Sequence, residues 1–595
     1  MTHSASIHDL RDELRDYRQH WQEKLLVRRG DDGAWHSVLS SSAVSTATAV
    51  VALCRKAPER HGALIGRARA WLAQTQLGDG GWGDSPESPA NVTATLLAYA
   101  ALHNAPAQAD AAQRAAQWLT AQLGGVTPAA IRAGILAKYG RDRTFSVPIL
   151  ALCAASGLFG SGRAAWSGIP RLPFELAVLP QRLLSVMNVQ VVSYAIPALI
   201  AVGLAQHEAC HGGLTWQLRR PSIAPALRVL AAKQPASGGF LEAAPLTAFC
   251  LLCLCAAGRG GHPVAAAAEN FLERTCRDDG SWPIDSNLDQ WVTALAGRAL
   301  AGVLPEAERQ ALAELIRQRQ FADVHPFTAA RPGGWGWTPL SGAVPDADDS
   351  AAALIALHEL AGAGAGAGGR PLAPAVVRGC EWLLALQNRD GGIPTFCRGW
   401  GKLPFDRSCP DLSAHAYRAL SCWQDALPVA LRRRVARSRG RLLTYLSAQQ
   451  GADGSFVPLW FGDQQADDLL APVYGTAVVL EHLVGMDSAM TTRARDYLLQ
   501  TQGADGGWGT AQGTHTKLIF TARALAALAG YPGCDEALCR GVAYLRPYLQ
   551  ERQPLPVEPV GLYFSQLWYS EELYPLVFLV RALEQLYARA CRRDL

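Results

Sequence analysis

Charge is scarce in this chain. Asp, Glu, Lys and Arg make up 18% of its 595 residues and nearly cancel, leaving a formal net charge of +4. About a quarter is usual for soluble domains. So small a balance gives no global attraction for nucleic acid. The stretch MTHSASIHDLRDELRDYRQHW is densely charged and holds no apolar segment, so secretion is not expected and a cytoplasmic location is. The 14 cysteines lack framework spacing, which excludes a disulfide scaffold and points to free thiols. No apolar run is clean enough to span a bilayer. The stretch LPFELAVLPQRLLSVMNVQVVSYAIPALIAVGLA (172–205) is interrupted by Pro180, Arg182, Asn188, Gln190 and Pro197, and AAPLTAFCLLCLCAAG (243–258) is too short. Both read as core helices; the sharper reading of 172–205 is an apolar patch dipping into one leaflet. Strand signals are almost absent, which excludes sheet-based folds.

What the chain does have is repetition. ARAWLAQTQLGDGGWG (68–83) is echoed by ARDYLLQTQGADGGWG (494–509), with AENFLERTCRDDGSW (268–282), GCEWLLALQNRDGGI (379–393) and LLTYLSAQQGADGSF (442–456) between them and DDGAWHS (31–37) as an N-terminal relative. Each unit is a helix, a glycine turn carrying an aromatic, and a Ser/Thr-rich entry into a second apolar helix, such as VTATLLAYAALH (92–103) or FTARALAALAG (520–530). Such hairpins bury their apolar faces only against neighbours. The Trp is expected to stack on the Gln that ends the preceding helix, pinning one hairpin to the next. The fold class is therefore all-α, with helical pairs closing into α/α toroids around an apolar cavity. GAGAGAGGR (362–370) reads as a surface loop. LRRRVARSRGR (431–441) reads as a solvated helix face, with anionic lipid as the alternative.

Four motifs bear on chemistry. HEACH (207–211) matches the zincin spacing, but Gly212 and Gly213 follow at once and no later His supplies a third ligand. CLLCLC (250–255) reads as buried thiols in an apolar helix. In SCPDLSAH (408–415), Cys409, Asp411 and His415 form a zinc-ligand candidate; alternatively Asp411 and His415, four residues apart, pair on one helix face. VPDADDSAAALIAL (344–357) places Asp346, Asp348 and Asp349 at the mouth of an apolar helix, flanked by RPGGWGWTP (331–339). One or two carboxylates suffice to cap a helix. Three in an apolar setting hold a proton at neutral pH, and a nearby histidinium sharpens it. Such an acid suits protonation of an alkene.

In this order the repeats, PDADDSA (345–351), DLSAH (411–415) and DGSWPIDSNLDQWVTALAGRAL (279–300) resemble the squalene–hopene cyclase family, the class II polyprenyl cyclases, with Ser350 where that family usually has Thr. The resemblance covers most of the chain. It implies Asp348 as proton donor, Asp346 and Asp349 tuning it, His415 bonded to the donor and Asp411 orienting His415. It implies cation-stabilising aromatic faces at Trp337, Trp291 and Tyr474, and less securely at Trp335, Trp460, Trp568 and Tyr569. No cofactor is implied, and no metal. The partners are a linear isoprenoid, squalene first, and one leaflet of a membrane, with the enzyme a monotopic homodimer on its cytoplasmic side. Residues 1–45 plus 286–595 would form the catalytic toroid and 46–285 an inserted one. Departures concern the substrate: IPTFCRGWGKLPFDRSCP (393–410) is shorter than the family's stretch and offers Arg398, Lys402 and Arg407 as grips for a polar headgroup. WFGDQQADDLLAPVYG (460–475) carries an acidic insertion, and GLYFSQLWYSEELYPLVF (561–578) offers Tyr563, Phe564, Trp568 and Tyr569 in place of a Phe-rich segment. Cyclisation of a prenyl diphosphate or of a prenylated polar substrate is the close alternative. A zinc prenyltransferase-like toroid and a lipid-binding toroid are the others.

Overall fold

A computed structural model describes residues 6–140, 143–179, 191–362, 372–399, 401–563 and 567–592. Part of the apolar stretch (180–190), most of the Gly-Ala run at 362–370 and Phe564 lie outside the described residues.

Helices Asp289–Leu300, Ala347–Ala361, Pro410–Trp423, Pro472–His482, Leu518–Leu528 and Tyr574–Cys591 pack each on the next, and the last returns to the first. They form a closed inner ring. Glu306–Gln318, Ala373–Leu386, Val429–Gln449, Ala489–Thr501, Asp535–Leu549 and Arg11–Val27 cover it from outside. A second ring closes through Ala43–Lys56, Val92–Leu102, Arg143–Ala155, Val191–Ala209 and Ala244–Ala256. These are the two α/α toroids expected from the repeats. The inner helices are apolar on every side because both faces are covered; the outer ones keep a wet face. The arginines of 431–441 lie on such a face, with Arg432, Arg433, Arg434 and Arg437 exposed.

The repeat signature has a physical basis in hydrogen bonds. Where the turn aromatic is Trp, its indole nitrogen donates to a carbonyl of the preceding helix: Trp82 to Leu72, Trp282 to Leu272, Trp335 to Ile316 and Trp508 to Leu498, all at 2.7–2.8 Å. The backbone N–H of the turn aromatic meets a hydroxyl of the following helix, as in Trp82 to Thr95, Trp335 to Ser350 and Trp508 to Thr521. The Gln side chain donates twice, once to its own turn and once to the next outer helix: Gln387 reaches Gly391 O at 2.7 Å and Ser438 O at 3.1 Å. Satisfying buried backbone acceptors in this way welds neighbouring hairpins. The turn glycine is obligatory at Gly506, where φ is +88° and an added Cβ would sit 2.4 Å from Arg540 O.

Only two short antiparallel ladders are present among the described residues: Ile393–Pro394 with Ser408–Cys409, and Gly561–Tyr563 with Leu567–Tyr569. They carry Thr395, Phe396 and Tyr569 to the mouth of the first ring.

Candidate active site

Asp346 is the N-cap of the helix Ala347–Ala361, its Oδ1 accepting the Asp349 N–H at 2.8 Å. Its own N–H donates to Trp335 O at 2.9 Å, and that of Ala347 to Thr395 O at 2.8 Å. Through Ser350, the repeat pin of Trp335 thus fixes where the acidic helix begins. Asp348 and Asp349 occupy its first turn, where the helix dipole favours negative charge. Burial opposes it. Desolvation pushes Asp346 up to about 7, with Asp348 raising it further and hydrogen bonds from Asp349 holding it back; desolvation together with Asp346 and Asp348 pushes Asp349 well above the usual carboxylate range. Asp346 Oδ2 and Asp349 Oδ1 have no hydrogen-bond partner among the described residues. Asp346 is 3% exposed and Asp349 6%, whereas the Asp348 side chain keeps 23% of its surface open. The middle carboxyl is therefore the one that can meet a ligand.

His415, one turn into the helix Pro410–Trp423, puts Nδ1 2.6 Å from Asp348 Oδ1. The two residues lie 67 apart in sequence and are joined by the packing of neighbouring ring helices. The expected orienting bond from Asp411 to His415 is not formed. Asp411 accepts the Cys409 thiol at 2.5 Å and the Leu459 N–H at 3.4 Å, and burial raises it to about 6. The residue at the helix start turns to the loop that precedes it, while His415 turns across the ring. Cys409, Asp411 and His415 accordingly do not converge as a ligand set. Among the described residues the one His/Asp/Glu/Cys group within 4.8 Å of itself is His61, Glu269 and Glu273, in the other toroid, where Lys56 and Arg60 already pair with its carboxylates.

The three aspartates open on a cavity of about 590 Å³ walled by Trp291, Trp337, Phe396, Trp460, Phe461 and Tyr574, with Tyr569 and Leu562. Of the aromatics expected from sequence, Trp291, Trp337, Trp460 and Tyr569 line it. Tyr474 lies one layer deeper, stacked on Phe461 at 4.2 Å. Trp335 and Trp568 do not line it. Trp335 is fully buried as a repeat pin, and Trp568 packs against Gly462, while its backbone N–H donates to Asp84. Arg398, Lys402 and Arg407 are exposed and none lines the described cavities, because the short 393–410 loop turns Phe396 and Phe405 inward and its cations out. Phe396 on this chamber packs 5.9 Å from Phe405, which lines a second chamber of about 840 Å³ that is almost wholly apolar and lined largely by the other toroid.

Sequence reasoning missed a small polar pocket of about 360 Å³ behind the acid, lined by Asp348, His415, His482, Arg298 and Arg523. The His482 ring stands 4.5 Å from that of His415, and its Nδ1 donates to Val478 O at 2.8 Å. Burial, reinforced by His415, holds His482 well below the usual histidine range, so it is neutral. Next to it Glu481 stays ionised despite burial because Arg523, Arg581 and Arg298 surround it. Arg298 falls inside the segment 279–300 and Arg523 inside the repeat helix 520–530, but nothing local marks either of them or His482 for this pocket; only the ring brings them together.

The remaining metal-like motifs dissolve. The helix carrying HEACH ends at Ala209, so His207 and His211 do not share a helix face. Cys250 and Cys253 are buried thiols pushed up by desolvation, and every cysteine is free.

Comparison with known proteins converges on one family. The sequence profiles for the squalene-hopene cyclase N-terminal and C-terminal domains match residues 19–202 and 289–553. A probable squalene–hopene cyclase from Sinorhizobium fredii is 25% identical over 94% of this chain and 93% of its own length. Enfumafungin synthase from Hormonema carpetanum is 24% identical over 93% of this chain, which spans 47% of that protein. A drimenyl diphosphate synthase from Streptantibioticus cattleyicolor is 28% identical over 45% of this chain and 48% of its own length. The fold resembles that of ent-copalyl diphosphate synthase from Streptomyces platensis, with a TM-score of 0.55 and 19% identity over 97% of this chain and 99% of that one. With both domain profiles matched in order along two helical toroids, the chain belongs to the squalene–hopene cyclase family of class II terpene cyclases.

Proposed function

We propose that the protein protonates the terminal double bond of a linear isoprenoid, squalene in the first place, and steers the cationic ring-forming cascade that follows. The observation that carries this reading is the contact between Asp348 and His415 at the wall of an aromatic chamber. The Asp348 O–H bond breaks, its proton adds to the less substituted alkene carbon, and the cation forms on the other. The next double bond attacks it. Proton loss to a base or capture of water ends the sequence, so no redox partner is needed. Asp346 and Asp349, buried and driven towards the neutral form, keep proton density in the cluster. Aromatic faces substitute for water as partners of the moving charge. Squalene suits chambers whose lining residues include no lysine or arginine.

The same reading assigns 1–45 with 286–595 to the catalytic toroid and 46–285 to the inserted one. The packing of Arg11–Val27 on Tyr574–Cys591 supports that division. It also places the protein on one membrane leaflet; no helix among the described residues is long and apolar enough to cross a membrane.

The test is incubation with squalene and, separately, with geranylgeranyl diphosphate, followed by lipid extraction and mass spectrometry. Cyclised squalene is expected from the native protein and none from Asp348→Asn. Undiminished cyclisation by that variant refutes the mechanism. A prenyl diphosphate is the second reading, favoured by Lys138, whose Nζ donates to Thr93 Oγ1 on the wall of the larger chamber at 3.0 Å. Turnover of the diphosphate alone, lost in Lys138→Ala, would establish it in place of the first.

A further inference from the structure

At the C-terminal end of the ring helix Val191–Ala209 lies a polar cleft of about 800 Å³, lined by none of the residues around the acid, that the cyclisation does not use. Its floor is His207, 4% exposed, whose Nε2 has no hydrogen-bond partner among the described residues. The imidazole is clamped between Phe174, edge-on at 5.7 Å, and Trp216, stacked at 5.3 Å with 5° between the planes. Trp216 Nε1 is likewise buried without a partner. Arg163, Arg171 and Arg219 line the same cleft. Arg219 is neutralised by Glu175 at 2.8 Å, and Glu208, beside His207 in sequence, faces Arg259 at 3.6 Å. Arg163 and Arg171 have no carboxylate partner among the described residues. An indole N–H and an imidazole nitrogen without partners, beside two uncompensated guanidiniums in one concavity, constitute a receptor for a tetrahedral oxyanion.

The surroundings say what carries that anion. The helix Leu214–Arg219 turns Trp216 and Arg219 to the cleft and leaves Leu214 and Leu218, one turn apart, 71% and 68% exposed. Leu176, 47% exposed, follows the Glu175 that anchors Arg219. Leucines this open beside a cationic cleft match an interface where acyl chains meet phosphates. We propose that the cleft binds the phosphate of an anionic membrane phospholipid while Leu214 and Leu218 enter its acyl region. The site specifies the membrane attachment included in the functional reading above, yet its test does not depend on cyclisation.

The experiment is co-sedimentation of the full chain with phosphatidylcholine vesicles and with vesicles containing phosphatidylglycerol, with inorganic phosphate as a soluble competitor. Preferential binding to phosphatidylglycerol is expected. Arg163→Ala with Arg171→Ala should weaken it about 25-fold, roughly fivefold for each charge. The same number of charges removed from the solvated helix, Arg433→Ala with Arg437→Ala, should have a much smaller effect. Trp216→Phe keeps the ring and removes the donor, and should lower phosphatidylglycerol binding severalfold while leaving phosphatidylcholine binding unchanged. Turnover in detergent should be unaltered in all three variants. Equal binding to both vesicles, equal loss from the Arg433/Arg437 pair, or an unaltered Trp216→Phe variant would overturn the proposal. Phosphate binding that Trp216→Phe abolishes, without vesicle discrimination, would overturn it in favour of a soluble anion.

Discussion

Asp346→Asn removes a charge and keeps a shape, and the two consequences pull stability and activity apart. Asparagine retains the oxygen that accepts the Asp349 N–H, so the helix cap survives. Its amide N–H group can donate to the Asp349 carboxyl, which has an unpartnered oxygen. What disappears is a titration. Burial raises Asp346 from 3.8 to about 7, so the folded protein holds this proton more tightly than the unfolded chain. Such a group stabilises the fold least when it is ionised: stability falls as pH rises through the interval between the two values and levels off above the upper one. Each pH unit in that interval is worth about 1.4 kcal/mol. Between pH 5 and pH 8 the native protein should therefore lose about 3 kcal/mol from this residue that the variant does not lose. Relief of Asp349, which Asp346 also raises, acts in the same direction. Denaturant unfolding of both proteins at pH 5 and pH 8 measures the gap. It should widen in favour of Asp346→Asn at the higher pH while cyclisation falls. A gap that stays constant or closes would refute the claim that these carboxylates are held neutral by burial.

The Asp348–His415 contact predicts that His415→Phe lowers turnover by about 10² to 10⁴, the usual range for a positioned acid–base partner. Asp411→Asn should cost far less, because its partners are Cys409 and Leu459 rather than His415; equal losses in the two variants would show that the geometry has been misassigned. Trp335→Phe should lower stability by about 1 to 3 kcal/mol through the orphaned Ile316 carbonyl, seen as an earlier unfolding midpoint. Trp337→Ala should instead change turnover and the product mixture seen by mass spectrometry, since it faces the chamber. Gln387→Ala, which severs two bonds to backbone carbonyls, should cost about 2 kcal/mol.

Much of this arrangement is readable residue by residue. The glycine turns, the aromatic that follows them and the hydroxyl at the next helix recur because each unit must solve the same packing problem, so periodicity exposes the toroids. Asp346, Asp348, Asp349 and His415 were legible because their chemistry is improbable in an apolar helix without a use. Trp335 was misjudged for an instructive reason: it stands two residues from Trp337 in one glycine-rich turn, and nothing local says which indole pins the hairpin and which faces the chamber. Arg398, Lys402 and Arg407 point outward because the short loop buries its phenylalanines first. His482, Arg298 and Arg523 carry no signature of a shared pocket, although Arg298 and Arg523 lie in segments the repeats and the family resemblance pick out; each is an ordinary residue of an inner helix until the ring closes.

The sequence by itself determined the helical hairpin, its repetition, and the placement of three carboxylates at one helix mouth, since these depend on neighbours within a few turns of chain. Only the tertiary structure decided that Asp348 is the most exposed of the three aspartates on the cavity, that it meets His415 from the adjoining helix, and that Asp411 belongs to Cys409. Those outcomes depend on the angle at which one inner helix packs on the next. That angle is set by all the side chains around the ring together, and no single segment encodes it.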